Sequence, residues 1–345
     1  MSGTSLDGID IALCSINDDK IQTISTKEYS YDDKIKEDVL YAISNCVSLE
    51  FIGTLHHKLA LMYSKALEEF LSEFSIDHKD VIAIGLHGQT IWHSPNEPYP
   101  FSMQLGDGAL VAKRVQIDVV NDFRSGDVAN GGQGAPLTPS FHQAVFDKNS
   151  YDKQTAVLNL GGIANITILT EQFIGYDVGV ANILSDYWSQ KHQNTSFDKD
   201  GAWARQGKVN DELLRFLLSD PYFALTPPKS TGREYFNATW LENKLEPFSS
   251  ISAVDVQTTL LEFTVAPIVS VLKDQPIKRL IVCGGGAKNG FLMDILSRKL
   301  DGIDVIKSDD LGISSTFLEA IAFAWLAYKR INHQSINLQT ITGAS

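Results

Sequence analysis

Three carboxylates, one arginine and three glycine clusters are the parts of this 345-residue sequence that could do chemistry. The clusters, Gly3 to Gly8, Gly161-Gly162 and Gly284 to Gly286, each adjoin an apolar run that reads as a strand. Glycine beside a strand permits a tight turn and lets backbone N–H groups approach a phosphate with no side chain between. Each cluster therefore has two readings, a phosphate-binding turn or an ordinary strand-to-loop turn. Asp7, in Gly3-Thr4-Ser5-Leu6-Asp7-Gly8, either holds Mg²⁺, directly or through a water, beside such phosphates or makes a plain Asp-Gly turn. Asp177 lies between Gly175 and Gly179, a setting that also suits a turn former. Glu319 sits on an otherwise apolar helix, where a carboxylate carries a desolvation cost unless it is paired or hydrogen-bonded. Arg124 opens a glycine-rich stretch and is either a salt-bridged structural arginine or a clamp on an anionic ligand. His87 and His93, with no third ligand nearby, read as hydrogen-bonding loop residues rather than zinc ligands.

Familiar signatures are absent. There is no GxxxxGK[ST], and Gly284-Gly285-Gly286-Ala287-Lys288-Asn289 has Asn where GxGxxG needs its last glycine. No G-x-S-x-G occurs either. A formal net charge of −13 argues against nucleic acid as a partner, because phosphate-backbone binding needs clustered Lys and Arg. An anionic ligand would be held locally, by backbone amides, a metal ion or a single arginine. Cys14, Cys46 and Cys283 show no CxxC spacing and read as small buried hydrophobes rather than a disulfide framework or a thiolate zinc site. No apolar run approaches the ~18 residues of a spanning helix, and no charged-then-apolar leader opens the chain. A cytoplasmic protein without a membrane partner is the expectation.

The elements that must position these residues alternate in type. Residues 9–30 read as strands, and Leu55, Leu59, Met62, Ala66 and Phe70 predict a helix over about 54–74. Val81 to Ile84 and Ile117 to Val120 are short buried strands, Leu86 to Pro95 is a polar loop, and Gly126 to Pro139 is a shaped loop or hinge. In the second half, Thr155 to Leu160 and Leu280 to Cys283 are strands that stop at glycines. Ser252 with Asp255 predicts a capped helix over about 253–273 bent at Pro267, and further helices fall at Phe291 to Leu300 and about 314–330. The pattern predicts an α/β fold in two domains, 1–140 and 141–330, with the tail of about 331–345 returning to the first.

The stretches MSGTSLDGID, GLHGQTIWHSP, QLGDGALVA, NDFRSGDVANGGQGAPLTP, LNLGGIANIT, YDVGVAN, DKDGAWARQG, CGGGAKNGFLM and FLEAIAFAWLA, in this order, resemble the 1,6-anhydro-N-acetylmuramic acid kinase family along the whole chain. The resemblance implies two actin-like, RNase H-like α/β domains flanking a central cleft for ATP and substrate, a role in peptidoglycan recycling, and a homodimer. It implies that Asp177 is the catalytic base and that Thr90, Arg124 and Glu319 contact the sugar, Arg124 also meeting a lactyl carboxylate. By the same resemblance Gly3, Thr4, Ser5, Asp7 and Gly8 form the first phosphate turn, with Mg²⁺ at Asp7. Gly161 and Gly162 form the second, and Gly284, Gly285 and Gly286 the adenosine-side loop. Two rival readings remain at this stage: a kinase of a plain anhydrosugar such as levoglucosan, and a non-catalytic ATP-binding protein of the same fold. The family resemblance also implies apolar residues ahead of Met1-Ser2-Gly3, so the first strand reads as truncated. A chain extended upstream by about six to eight residues, the length of an ordinary strand, is expected to melt at a higher temperature; equal melting temperatures would refute this.

Overall fold

The computed structural model describes residues 1–3, 6, 8–17, 20–147, 154–171, 173–227, 229–233 and 235–345. Thr4, Ser5 and Asp7 lie outside the described residues. The chain divides into two compact units, Met1–Val145 with Phe317–Ser345, and Phe146–Thr316.

In the first unit, β1 (Gly8–Asn17) and β2 (Lys20–Ser30) form an antiparallel pair running from Gly8 opposite Ser30 to Asn17 opposite Lys20. Two helices follow, α1 (Asp33–Ser44) and α2 (Leu49–Glu73). The Asp32 carboxylate accepts the Lys34 and Ile35 amides to start α1, and Ser48 Oγ accepts the Phe51 amide to start α2. Helix α2 begins ahead of the expected position because Ser48 caps it, and its stripe of Leu55, Leu59, Tyr63, Ala66 and Phe70 is buried. Helix α1 was not expected from the sequence: only Val39 and Ala42 are buried in it, too few for a clear period.

Beyond β3 (Ala83–Gly85), the expected polar loop is instead a strand pair. Strands β4 (Gln89–Ser94) and β5 (Phe101–Leu105) run antiparallel, with a register irregularity between Thr90 and Trp92. The inward face of β4 carries Gln89 beside Ile91, so the apolar alternation that would reveal a strand is broken by a buried amide. Helix α3 (Gly108–Val115) leads to β6 (Asp118–Val120), parallel to β3. The glycine-rich stretch starts inside α4 (Phe123–Ala129), and α5 (Thr138–His142) follows it. Cys46 is exposed and Cys14 partly so, which corrects the expectation of three buried thiols; Cys283 alone is buried.

The second unit holds a five-stranded sheet. Strands β7 (Thr155–Leu160), β8 (Ile163–Leu169) and β9 (Ile174–Val180) form an antiparallel meander, and β10 (Arg279–Cys283) and β11 (Asp304–Lys307) extend it in parallel. The order across the sheet is β11-β10-β7-β8-β9. All of β7 is buried, and Leu158, Leu160, Ile166, Leu280 and Val282 are fully enclosed. Each such side chain contributes about 1.5–3 kcal/mol from burial. The helices of this unit are α6 (Asn182–Gln193), α7 (Asp211–Leu218), α8 (Ala238–Leu245), α9 (Ala253–Lys273) and α10 (Gly290–Lys299). Ser252 caps α9 as the sequence predicts, accepting the Asp255 amide at 3.2 Å. Helix α9 is also long and apolar enough by composition to cross a membrane, contrary to the sequence expectation, but 61% of that stretch is buried in the protein. Its threonines serve the core: Thr258 Oγ1 donates to the Ala204 carbonyl at 2.6 Å.

The last helix, α11 (Leu318–Ile331), leaves this unit and packs on β1 and β3 of the first. The units divide at 145/146 and 316/317, whereas the sequence pattern placed the divisions near 140 and 330. Gly85 explains the fit, because a Cβ there would run into the Phe323 backbone carbonyl, so only glycine lets α11 approach β3 this closely. The tail stays with the first unit. The Gln133 amide donates to Thr342 O at 2.9 Å, Thr342 Oγ1 to Asp127 Oδ1 at 2.8 Å, and the Ser345 amide to Asn130 O at 3.0 Å.

Strands β1 and β3 belong to separate sheets. Between them runs an apolar groove of about 540 Å³ lined by Ile9, Ile11, Leu13, Ile84, Ala324 and Ala327. Met1 lines the same groove: its ammonium donates to Asp10 O at 2.7 Å and its carbonyl accepts the Asp10 amide at 2.8 Å. Burial pulls that ammonium down to about 6.

Candidate active site

Asp177 occupies the middle of β9, so it is not a turn former. Its neighbour Gly179 answers to packing: a Cβ there would come within 2.8 Å of the Phe223 ring. The residue is 8% exposed, and a carboxylate so enclosed needs donors. It has them. The Thr231 amide donates to Oδ2 at 2.9 Å, and the Asn165 side-chain amide donates to Oδ1. The backbone is pinned as well, by the Asp177 amide to Lys229 O at 3.1 Å and the Tyr222 hydroxyl to Asp177 O at 2.8 Å. Burial raises the Tyr222 hydroxyl, with the Asp177 charge adding to the effect, so it stays a donor.

Two of the three glycine clusters meet beside this carboxylate's sheet. Gly161 and Gly162 join β7 to β8, and their carbonyls accept the Ala181, Asn182 and Ile183 amides at the start of α6. Gly284 ends β10 with φ +82°, and a Cβ on it would strike Asn159 Oδ1 and the Leu160 backbone. That close approach sets the third cluster against the second, at the carboxyl ends of β7 and β10, where open α/β sheets place their ligands. Asn182 Nδ2 closes the corner by donating to Leu160 O at 3.0 Å. Packing does not require glycine everywhere here: the nearest atoms to a Cβ on Gly161, Gly162 or Gly285 are 3.7–3.8 Å away. Space over bare backbone is what a phosphate chain needs. Of the first cluster, Gly3 O accepts the Leu6 amide at 3.4 Å and Gly8 opens β1.

Thr90, Arg124 and Glu319 all fall in the first unit. Arg124, on α4, donates from Nε to His87 Nε2 at 2.9 Å and from Nη1 to Gly134 O at 2.8 Å. Because an arginine only donates, His87 Nε2 must accept, so the proton sits on Nδ1, which donates to Gly88 O at 2.7 Å. Burial, and then the Arg124 charge, hold His87 well below the usual imidazole range, so it is neutral. The Arg124 guanidinium is thereby held by a fixed acceptor and not by a salt bridge to that histidine. Thr90, on β4, faces Gln104 across the strand pair and accepts from its Nε2 at 3.2 Å. Gln104 also donates to Ser102 Oγ at 2.8 Å, which lies 3.0 Å from His93 Nδ1. Glu319 lies in the first turn of α11, where the helix dipole favours a negative charge, and its charge acts on the Met1 ammonium. It is half-buried, so its desolvation cost is smaller than the helix's apolar composition implies.

Sequence reasoning missed His87 as the support of Arg124, and Asn165, Tyr222 and Thr231 as the supports of Asp177. Only Asn165 left a signal, as an amide inside a strand, β8, whose other residues are apolar apart from Thr167. Among the described residues no group of three His, Cys, Asp or Glu is placed to hold a metal ion.

A buried carboxylate held by donors, open glycine turns at strand ends, and an arginine set on a neutral histidine belong to an α/β enzyme. A family model described as anhydro-N-acetylmuramic acid kinase matches residues 1–345. Proteins of that name from Sulfurimonas denitrificans, Pasteurella multocida and Haemophilus influenzae are 48%, 46% and 46% identical to this chain. Each match covers 100% of this chain and 95%, 92% and 94% of the relative. The chain belongs to the anhydro-N-acetylmuramic acid kinase family.

Proposed function

We propose that this chain is an ATP-dependent kinase that opens the 1,6-anhydro ring of 1,6-anhydro-N-acetylmuramic acid with water and phosphorylates O6. The product is N-acetylmuramic acid 6-phosphate, formed in the cytoplasm during peptidoglycan recycling by a homodimer. The observation that carries the reading is the whole-chain match to that family. The setting of Asp177 supports it chemically. A water attacking the anomeric carbon must lose a proton while O6 leaves, and an alkoxide leaves poorly unless something takes its charge. A glycosidase protonates it with a second carboxylic acid. Here the γ-phosphoryl group of ATP takes the oxygen, so one carboxylate base is enough, and Asp177 is that base.

In the same reading Gly161, Gly162 and Gly284 to Gly286 cradle ATP, and the open backbone at Gly161, Gly162 and Gly285 fits a phosphate chain. Arg124 meets the lactyl carboxylate in a charge-assisted pair, while Thr90 and Glu319 contact the sugar. Mg²⁺ would enter on the ATP phosphates with Asp7 beside it, neutralising charge on the transferred group. The five-stranded mixed sheet supports assigning the second unit to an actin-like domain.

The test is a coupled ADP-release assay with Mg-ATP and 1,6-anhydro-N-acetylmuramic acid, beside levoglucosan and N-acetylmuramic acid, run in ¹⁸O water. Turnover with the muramic anhydrosugar alone, and label at the anomeric oxygen, is the expected result. Equal turnover with levoglucosan, or no turnover with any sugar, would overturn the reading.

A further inference from the structure

Asp177 is the end of a polar row that crosses four strands. Cys283, Asn159, Asn165 and Asp177 are successive partners across β10, β7, β8 and β9: Cys283 opposite Asn159, Asn159 opposite Asn165, Asn165 opposite Asp177. Residues directly opposite one another share a face of the sheet, so their side chains meet. They do. Asn159 Nδ2 lies 3.4 Å from Asn165 Oδ1, and Asn165 Nδ2 donates to Asp177 Oδ1. At the other end, Asn159 Oδ1 occupies the place a side chain on Gly284 would take.

We propose that Asn165 is the positioning residue of Asp177, and that the Asn159–Asn165 row ties the carboxylate to the turn at Gly284. The proposal rests on reading Asp177 as the general base. An amide between a carboxylate and another amide's NH₂ has one workable orientation, with its nitrogen toward the carboxylate and its oxygen toward the NH₂; the flip would set acceptor against acceptor and donor against donor. Asn165 is in that orientation. With the Thr231 amide on Oδ2, both oxygens of Asp177 are then held and the plane of the carboxylate is set. Asn159 is 8% exposed and Asn165 half-buried, so these asparagines carry a desolvation cost that apolar residues would avoid. A tie between the base and a glycine turn is what that cost secures. Tyr222 interacts electrostatically with Asp177, and Lys229, whose carbonyl accepts the Asp177 amide, donates from Nζ to Tyr222 O at 3.3 Å. Both remain in the variants below.

The experiment compares the parent with Asn165→Leu and Asn165→Ser. The Asp177 carboxyl is titrated by ¹³C NMR with [¹³Cγ]-aspartate, its signal assigned by loss in Asp177→Asn, and pH–rate profiles are recorded alongside. In Asn165→Leu the titration midpoint and the acid limb of kcat/KM both move to higher pH by about one unit, the size expected for losing one donor to a charged acceptor. Turnover falls at least about tenfold, KM for ATP stays put, and Asn165→Ser falls between leucine and parent. An unmoved midpoint in either folded variant overturns the proposal. A parent that fails to phosphorylate the anhydrosugar sinks the kinase reading instead, and the titration still decides the role of Asn165.

Discussion

Asp177→Asn is expected to cut phosphorylation of the anhydrosugar by about 10²–10⁴-fold, the range for removing a positioned general base, while binding ATP as the parent does. Asparagine keeps the shape of the side chain and can still accept the Thr231 amide through its oxygen. Its NH₂ would then face the NH₂ of Asn165, donor against donor, so the variant loses both the base and the hydrogen bond at Oδ1. The backbone bonds that hold the Gly161-Gly162 turn, from the Ala181, Asn182 and Ile183 amides, do not involve the Asp177 side chain, so ATP binding is expected to persist. Calorimetric titration with an ATP analogue beside the ADP-release assay separates the two effects. Parent-like turnover in this variant would remove Asp177 from the role of base.

The second large effect is expected at Arg124. In the proposed reading, replacing it by alanine would remove a charged donor from the lactyl carboxylate of the substrate. Hydrogen bonds to charged groups are worth about 1.5–3 kcal/mol, so kcat/KM for the muramic anhydrosugar should fall by roughly ten- to a hundred-fold. Binding of an anhydrosugar without the carboxylate, read by calorimetry, should differ little between the variant and the parent. A penalty of equal size on both sugars would mean that Arg124 supports the fold rather than the substrate. Arg124→Lys is expected to rescue poorly, because lysine has no Nε–H to set against His87 Nε2 and no planar fork. His87 adds a pH test with a definite sign. Burial and the Arg124 charge hold it well below the usual imidazole range, so it is neutral where an ordinary histidine titrates, and the Arg124-dependent part of the activity should carry no limb there. A histidine limb near pH 6.5 that vanishes in Arg124→Ala would contradict the neutral tautomer.

Much of the architecture could be read from the residues, and the exceptions share a cause. The β7 and β10 strands are visible because burial on both faces leaves mostly apolar runs that stop at glycines, and α9 because Ser252 and Asp255 announce its start. Strand β4 is hidden because Gln89 faces inward, and α1 because it buries too little. Helix α11 follows directly on the second unit in the chain, yet Gly85 offers it a bed against β3 of the first.

The sequence by itself determined the α/β class, the glycine turns and, through the order of its motifs, the family and the identity of the candidate base. These depend on local patterns: turn residues, burial periods, and residue types in a given order. Only the tertiary structure decided what surrounds the reactive groups. Asn165 reaches Asp177 because β8 and β9 pair in one register, and Thr231 reaches it from 54 residues further along the chain. His87 holds Arg124 across 37 residues, and its tautomer follows from which atom the guanidinium meets. Donor and acceptor roles of this kind arise from contacts between distant residues, whose geometry exists only once the core has closed around them.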